Sequence, residues 1–126
     1  MRAKGFKRAR ARVRRSVSAL EEASLDALAE TVDAVHRAGR QNIQAMVRRR
    51  SGRLSRFYRK SISRARKLGR VGYLTRRARR EAFYARFVHD GTRRLQARPF
   101  HDQAVAQEDA PHLRRMGRAV RKALRS

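Results

Sequence analysis

Two histidine–aspartate pairs, His89-Asp90 and His101-Asp102, are the side chains in this sequence best suited to bond-making chemistry. Imidazole and carboxylate together ligate divalent cations, and a metal-bound water would be a hydrolytic nucleophile. The spacing argues against that use. Adjacent residues on a helix point to different faces, and no further carboxylate cluster accompanies either pair. The chain has no cysteine, which excludes disulfides and thiolate metal sites. It also lacks a glycine-rich phosphate loop, a nucleophile elbow and zinc-ligand spacing. The expectation is a protein that is not an enzyme and uses no cofactor and no metal.

The pairs belong to a stretch in which the residue types change together. Glu81 to Asp90 reads as a short amphipathic helix, with Phe83, Tyr84, Phe87 and Val88 at helical spacings. Gly91 ends it, because glycine enters the left-handed region without a Cβ penalty, and Thr92 leaves into a polar turn. A basic loop, Arg93 to Arg98, leads to Pro99, which restarts a helix whose first turn has no use for its missing N–H. Phe100, Ala104 and Val105 continue that face. The core is expected in this knuckle of short helices.

The 126 residues make one domain with a modest core, and 35 Lys+Arg against 10 Asp+Glu leave a net charge of +25. Self-repulsion on that scale calls for a polyanion or a charge-complementary partner. Arginine outnumbers lysine, which favours bidentate contacts to carboxylate or phosphate. Nothing reads as a signal peptide or a membrane span, so no membrane partner is expected. Residues 1–17 form a basic arm without an acid, expected to be frayed or extended unless it lies on a negative surface. Residues 18–126 form the single folded domain.

Ser18-Ala19-Leu20-Glu21 has capping-box spacing. Leu20, Leu28, Val32, Val35, Ile43, Met46 and Val47 then recur near the helical period, giving one long helix or two abutting ones over 18–50, with Gly39 as a candidate bend. Glu21, Glu22, Asp26, Glu30 and Asp33 are half of all the acids, and none follows from Val35 to Arg80. In a ring of identical subunits this acidic segment could face a basic segment of the next copy, such as Arg48, Arg49 and Arg50. Between Arg53 and Arg80, Leu54, Phe57, Tyr58, Ser61, Ile62, Ala65 and Leu68 fit a helix, while Gly69, Val71, Gly72, Tyr73, Leu74 and Thr75 fit a strand after a turn. Glu108-Asp109-Ala110-Pro111 is expected to break the helix begun at Pro99. A basic terminal helix, His112 to Arg125, follows with Leu113, Met116, Val120 and Leu124 on one side.

The run Tyr84-Ala85-Arg86-Phe87-Val88-His89-Asp90-Gly91-Thr92, then Ala97-Arg98-Pro99-Phe100, resembles the signature of tail-completion or neck proteins of tailed bacteriophages, of the minor tail protein Z type. Ser51-Gly52-Arg53-Leu54 and Ser61-Ile62 match weaker upstream features in the same order, so the resemblance spans about Ser51 to Ala106. It implies a β-hairpin, with strands near Lys60-Arg66 and Arg70-Thr75, so that with the helices read above the expected fold is α+β: a long N-terminal helix, the hairpin, short helices around the Gly-Thr turn, and a C-terminal helix. It further implies a homo-oligomeric, six-fold ring in the virion neck, assembled in a bacterial cytoplasm. Such a ring would join the head-side connector or stopper to the tail tube or tail terminator, with DNA passing through its lumen. The particle could be a phage, a prophage or a gene transfer agent. Tyr84, Phe87, Val88, Gly91, Thr92, Arg98, Pro99 and Phe100 match the signature and are expected to hold the fold and present the interface.

The alternative is a basic nucleic-acid-binding protein of nucleoid or ribosomal type, bound to phosphates through counterion release. Against it, the aromatics sit at core spacing in the knuckle and are not interleaved with the basic runs as stacking platforms would be.

Overall fold

A computed structural model describes residues 2–46, 52–82, 85–91, 97 and 99–125. The fold is α+β: α1 (Arg2–Met46), α2 (Arg53–Phe57), β1 (Arg59–Ser63), β2 (Leu68–Gly72), α3 (Arg76–Glu81), α4 (Ala85–Asp90) and α5 (Phe100–Arg125). Helix α1 is about 68 Å long at 1.5 Å per residue. It runs straight through the Ser18 capping-box sequence and includes the arm expected to be frayed. Alanine, arginine and lysine are all strong helix formers, and a capping box acts only where preceding residues leave the helix.

α5 lies antiparallel to α1. The Asn42 side chain donates to the Phe100 carbonyl (3.0 Å) at one end, Thr31 meets His112 in the middle, and Ala19 and Ala23 share a groove with Ala119 and Ala123 at the other end. Pro111 sits inside α5 and does not break it. A mid-helix proline costs about 3 kcal/mol, but α5 is held to α1 on both sides of it. Thr31 Oγ1 lies 2.6 Å from His112 Nδ1 and accepts from Arg115 (3.1 Å), and Arg115 also reaches Glu108 (2.8 Å) across the proline. The terminal helix also turns a different face inward from the one expected. Ala123 is buried, whereas Leu113 and Leu124 are 72% and 66% exposed.

β1 and β2 form an antiparallel hairpin, Arg59 opposite Gly72 and Ser63 opposite Leu68. The strands fall close to the expected ones, but Tyr73, Leu74 and Thr75 have left the sheet. Thr75 instead caps α3, accepting from the Ala78 N–H (3.0 Å). The hairpin lies so close to α1 that a Cβ on Gly69 would stand 2.4 Å from Val32. The helix expected over 81–90 is divided, because Ala82 leaves the helical region between α3 and α4. The core is only partly in the knuckle, which shares it with α1 and α2. Its buried cluster is Ile43, Leu54, Tyr58, Ala82, Ala85 and Phe100, with Met46, Phe57, Val71, Tyr73 and Val88 against it. Phe87 is 48% exposed; Phe83 and Tyr84 lie outside the described residues.

Candidate interface around Tyr58

Tyr58 ends α2 and is 1% exposed. Its ring stacks on His36 of α1 (5.6 Å between centroids, 7° between planes) and meets Tyr73, Phe100 and His101 edge-on at 5.7, 6.1 and 5.8 Å. Edge-to-face and stacked geometries match the ring quadrupoles, each adding about 0.5–1.5 kcal/mol beyond burial. The backbone is held as firmly. His36 Nε2 donates to the Tyr58 carbonyl (2.7 Å), and the Tyr73 hydroxyl donates to the Leu54 carbonyl (2.9 Å).

The Tyr58 hydroxyl lies 2.8 Å from His101 Nδ1. Burial pushes the phenol's pKa well above its ordinary value, so it stays protonated and donates. Burial also lowers the His101 pKa, with His89 adding to that effect and Asp102 opposing it. Both directions favour the same arrangement: a neutral imidazole accepting from a neutral phenol.

The fold brings together the two His-Asp pairs that sequence spacing set apart. His89 and His101 have ring centroids 6.5 Å apart, and His89 stands edge-on to Phe100 at 5.2 Å. Yet their lone pairs are occupied. His89 Nδ1 donates to Asp90 (2.8 Å) and its Nε2 accepts from the Asp102 N–H (3.3 Å), while His101 Nδ1 accepts from Tyr58. Among the described residues no group of three His, Cys, Asp or Glu is placed to hold a metal ion. What the pairs border is an open, largely apolar cleft of about 460 Å³, walled by Tyr58, Tyr73, Arg79, His89, Phe100 and His101. Its chemistry suits an apolar group with a polar edge, such as a partner's side chain.

Among the signature residues that are described, Val88, Gly91, Pro99 and Phe100 sit where their types suit the core or the local backbone, whereas Phe87 does not turn inward. The Gly91 N–H bonds the Phe87 carbonyl (2.9 Å), and Gly91 has φ +80°, the left-handed conformation that closes α4. Pro99 starts α5, its carbonyl accepting from Gln103 (3.0 Å), and Phe100 is 1% exposed. Val88 packs on the core and Phe87 faces outward. Tyr84, Thr92 and Arg98 lie outside the described residues, as do Arg48, Arg49 and Arg50.

The acids of α1 meet cations of their own chain. Lys60 pairs with Asp33, Arg64 with Asp26 (3.1 Å) and Lys67 with Glu21 (2.7 Å), tying the hairpin along α1. Glu30 lies 3.8 Å from Arg115, and Glu22 lines the α1–α5 groove opposite Arg118 and Lys122. The hairpin pairs are half-exposed, worth about 0–1 kcal/mol each. Their larger effect is on the surface field, because acids used internally leave the outer faces basic.

Sequence reasoning missed Tyr58, His36 and Asn42 as organising residues. One signal was available: Tyr58 follows Leu54 by four, at the spacing of a shared helix face. No family model, curated protein or solved structure matches the chain.

Proposed function

We propose that this protein is a non-enzymatic structural subunit of a bacteriophage-type virion neck, a tail-completion or terminator-like ring that joins the head-side connector to the tail tube around the passing DNA. The observation that carries the reading is the conformation of the signature stretch. A glycine at positive φ closes α4, a proline opens α5, and the phenylalanine after it fills the core. The apolar cleft beside this turn and the outward-facing Phe87 supply a place for a neighbour's side chain. The two-stranded hairpin has outer edges on which a sister strand could pair.

The second reading, a phosphate-binding basic protein, is favoured by the internal pairing of the α1 acids, which among the described residues leaves the arm's arginines without an acidic partner along a helical rod. Sedimentation in about 1 M salt separates the two, because screening then acts within about 3 Å. A discrete closed oligomer under those conditions is the result expected of a ring subunit. A monomer at every concentration, with DNA affinity falling steeply as salt rises, overturns the connector reading in favour of the second.

A further inference from the structure

Along α1 the same heptad position is occupied by Phe6, Val13, Leu20, Ala27 and Ala34. Where the body of the protein covers it, the residue is small and buried: Ala27 is 5% and Ala34 8% exposed. Beyond the α5 end the position carries large side chains left in the open, with Phe6 67% and Val13 61% exposed, and Val17 beside them 49% exposed. The seam that packs α1 in the body therefore continues past its covering elements. Beside it, Arg10 lies one turn from both Phe6 and Val13, and Arg14 one turn from Arg10 and Val17, so two arginines flank the seam, and no acid stands before Glu21.

We propose that this arm, residues 5–17 of α1, docks onto an acidic amphipathic helix of another protein, which takes up the seam and neutralises the flanking arginines. Seam continuity points to a helix, since a seventh-residue repeat is the pattern a packed helix reads and the exposed strip is one helix wide. A lipid surface would be met better by a broad apolar face. Duplex DNA leaves Phe6 and Val13 without a use, because phosphate contacts need only the cations. A second copy of this chain is a poor occupant, because the acids of its α1 are engaged at home: Glu21, Asp26 and Asp33 are paired with its own hairpin, and Glu30 stands beside its own Arg115. The inference stands on the arm alone and is independent of the connector reading.

The test uses the full chain and a labelled synthetic helix of about three heptads, leucine at the a and d positions and glutamate elsewhere, with a scrambled peptide of identical composition as reference. Fluorescence anisotropy at about 0.15 M salt should give binding at least about tenfold tighter for the patterned peptide. The double substitution Phe6→Ser/Val13→Ser, on exposed positions, should reduce that ratio to near one. Leu113→Ser/Val120→Ser, on the exposed face of α5, should leave it unchanged. Equal binding of both peptides by the unsubstituted protein overturns the proposal, since charge alone would then suffice. So does a ratio that survives the Phe6/Val13 change, or one that the α5 change removes equally. If the Phe6/Val13 change abolishes binding to vesicles of anionic phospholipid while sparing the peptide, the arm is a membrane element and the proposal fails.

Discussion

Gly39 and Tyr58 share one volume: a Cβ at position 39 would stand 2.2 Å from the Tyr58 hydroxyl oxygen and 2.5 Å from its ring. Helix α1 gives up the better helix former so that the aromatic node can sit directly against its backbone. In the otherwise unchanged protein, Gly39→Ala should therefore destabilise, because overpacking costs about 1–3 kcal/mol against a propensity gain of about 1 kcal/mol. Tyr58→Ala should cost about 3–5 kcal/mol. Combined with it, Gly39→Ala should become stabilising by up to about 1 kcal/mol. Urea denaturation of the four proteins gives the cycle, and an unchanged sign for Gly39→Ala in both backgrounds would contradict the shared volume.

Pro111 is carried inside α5 at a cost. Its ring nitrogen has no hydrogen to offer the Gln107 carbonyl, so the helix lacks one bond at mid-length. Pro111→Ala restores the donor and should stabilise the protein by about 1–3 kcal/mol, read as a higher denaturation midpoint. A loss of stability would show that α5 needs the local geometry proline imposes to stay against α1.

His101 makes stability depend on acid. Its folded-state pKa is lowered, first by burial and then by His89, with Asp102 opposing. As pH falls below the ordinary histidine value, the unfolded chain takes up this proton before the folded one does. Stability from this group is therefore present at neutral pH and lost on acidification, levelling off once the folded pKa is passed. His101→Gln keeps an acceptor for the Tyr58 hydroxyl and removes the titration. Between pH 7 and about pH 5 the denaturation midpoint of the variant should fall less than that of the unsubstituted protein. Parallel pH curves would exclude the His101 contribution.

How much of this could be read in advance follows from how local each cause is. Gly91 and Pro99 were legible because the backbone demands on those residue types are met within a few neighbours. The apolar positions of α1, among them Val32, Val35 and Ile43, were legible from their period. The hairpin was placed within a few residues, although Thr75 was assigned to a strand and caps a helix. Tyr58 was not legible as the centre, because its setting comes from His36, Gly39, Tyr73 and His101, which only the tertiary fold assembles. The break expected at Pro111 failed for the same reason: Thr31 of α1 holds His112 and Arg115 of α5 from across the interface. The pairing of Asp26 and Asp33 with the hairpin was invisible to a count of charge along the chain.

A rod about 68 Å long is joined here to a body of modest size. A compact chain of 126 residues has a radius of gyration of about 14 Å. Such a particle experiences more friction than a sphere of its mass, tumbles slowly about its short axes and leaves a sizing column early. Elution volume alone would make one copy pass for two, so the number of subunits has to be counted by mass.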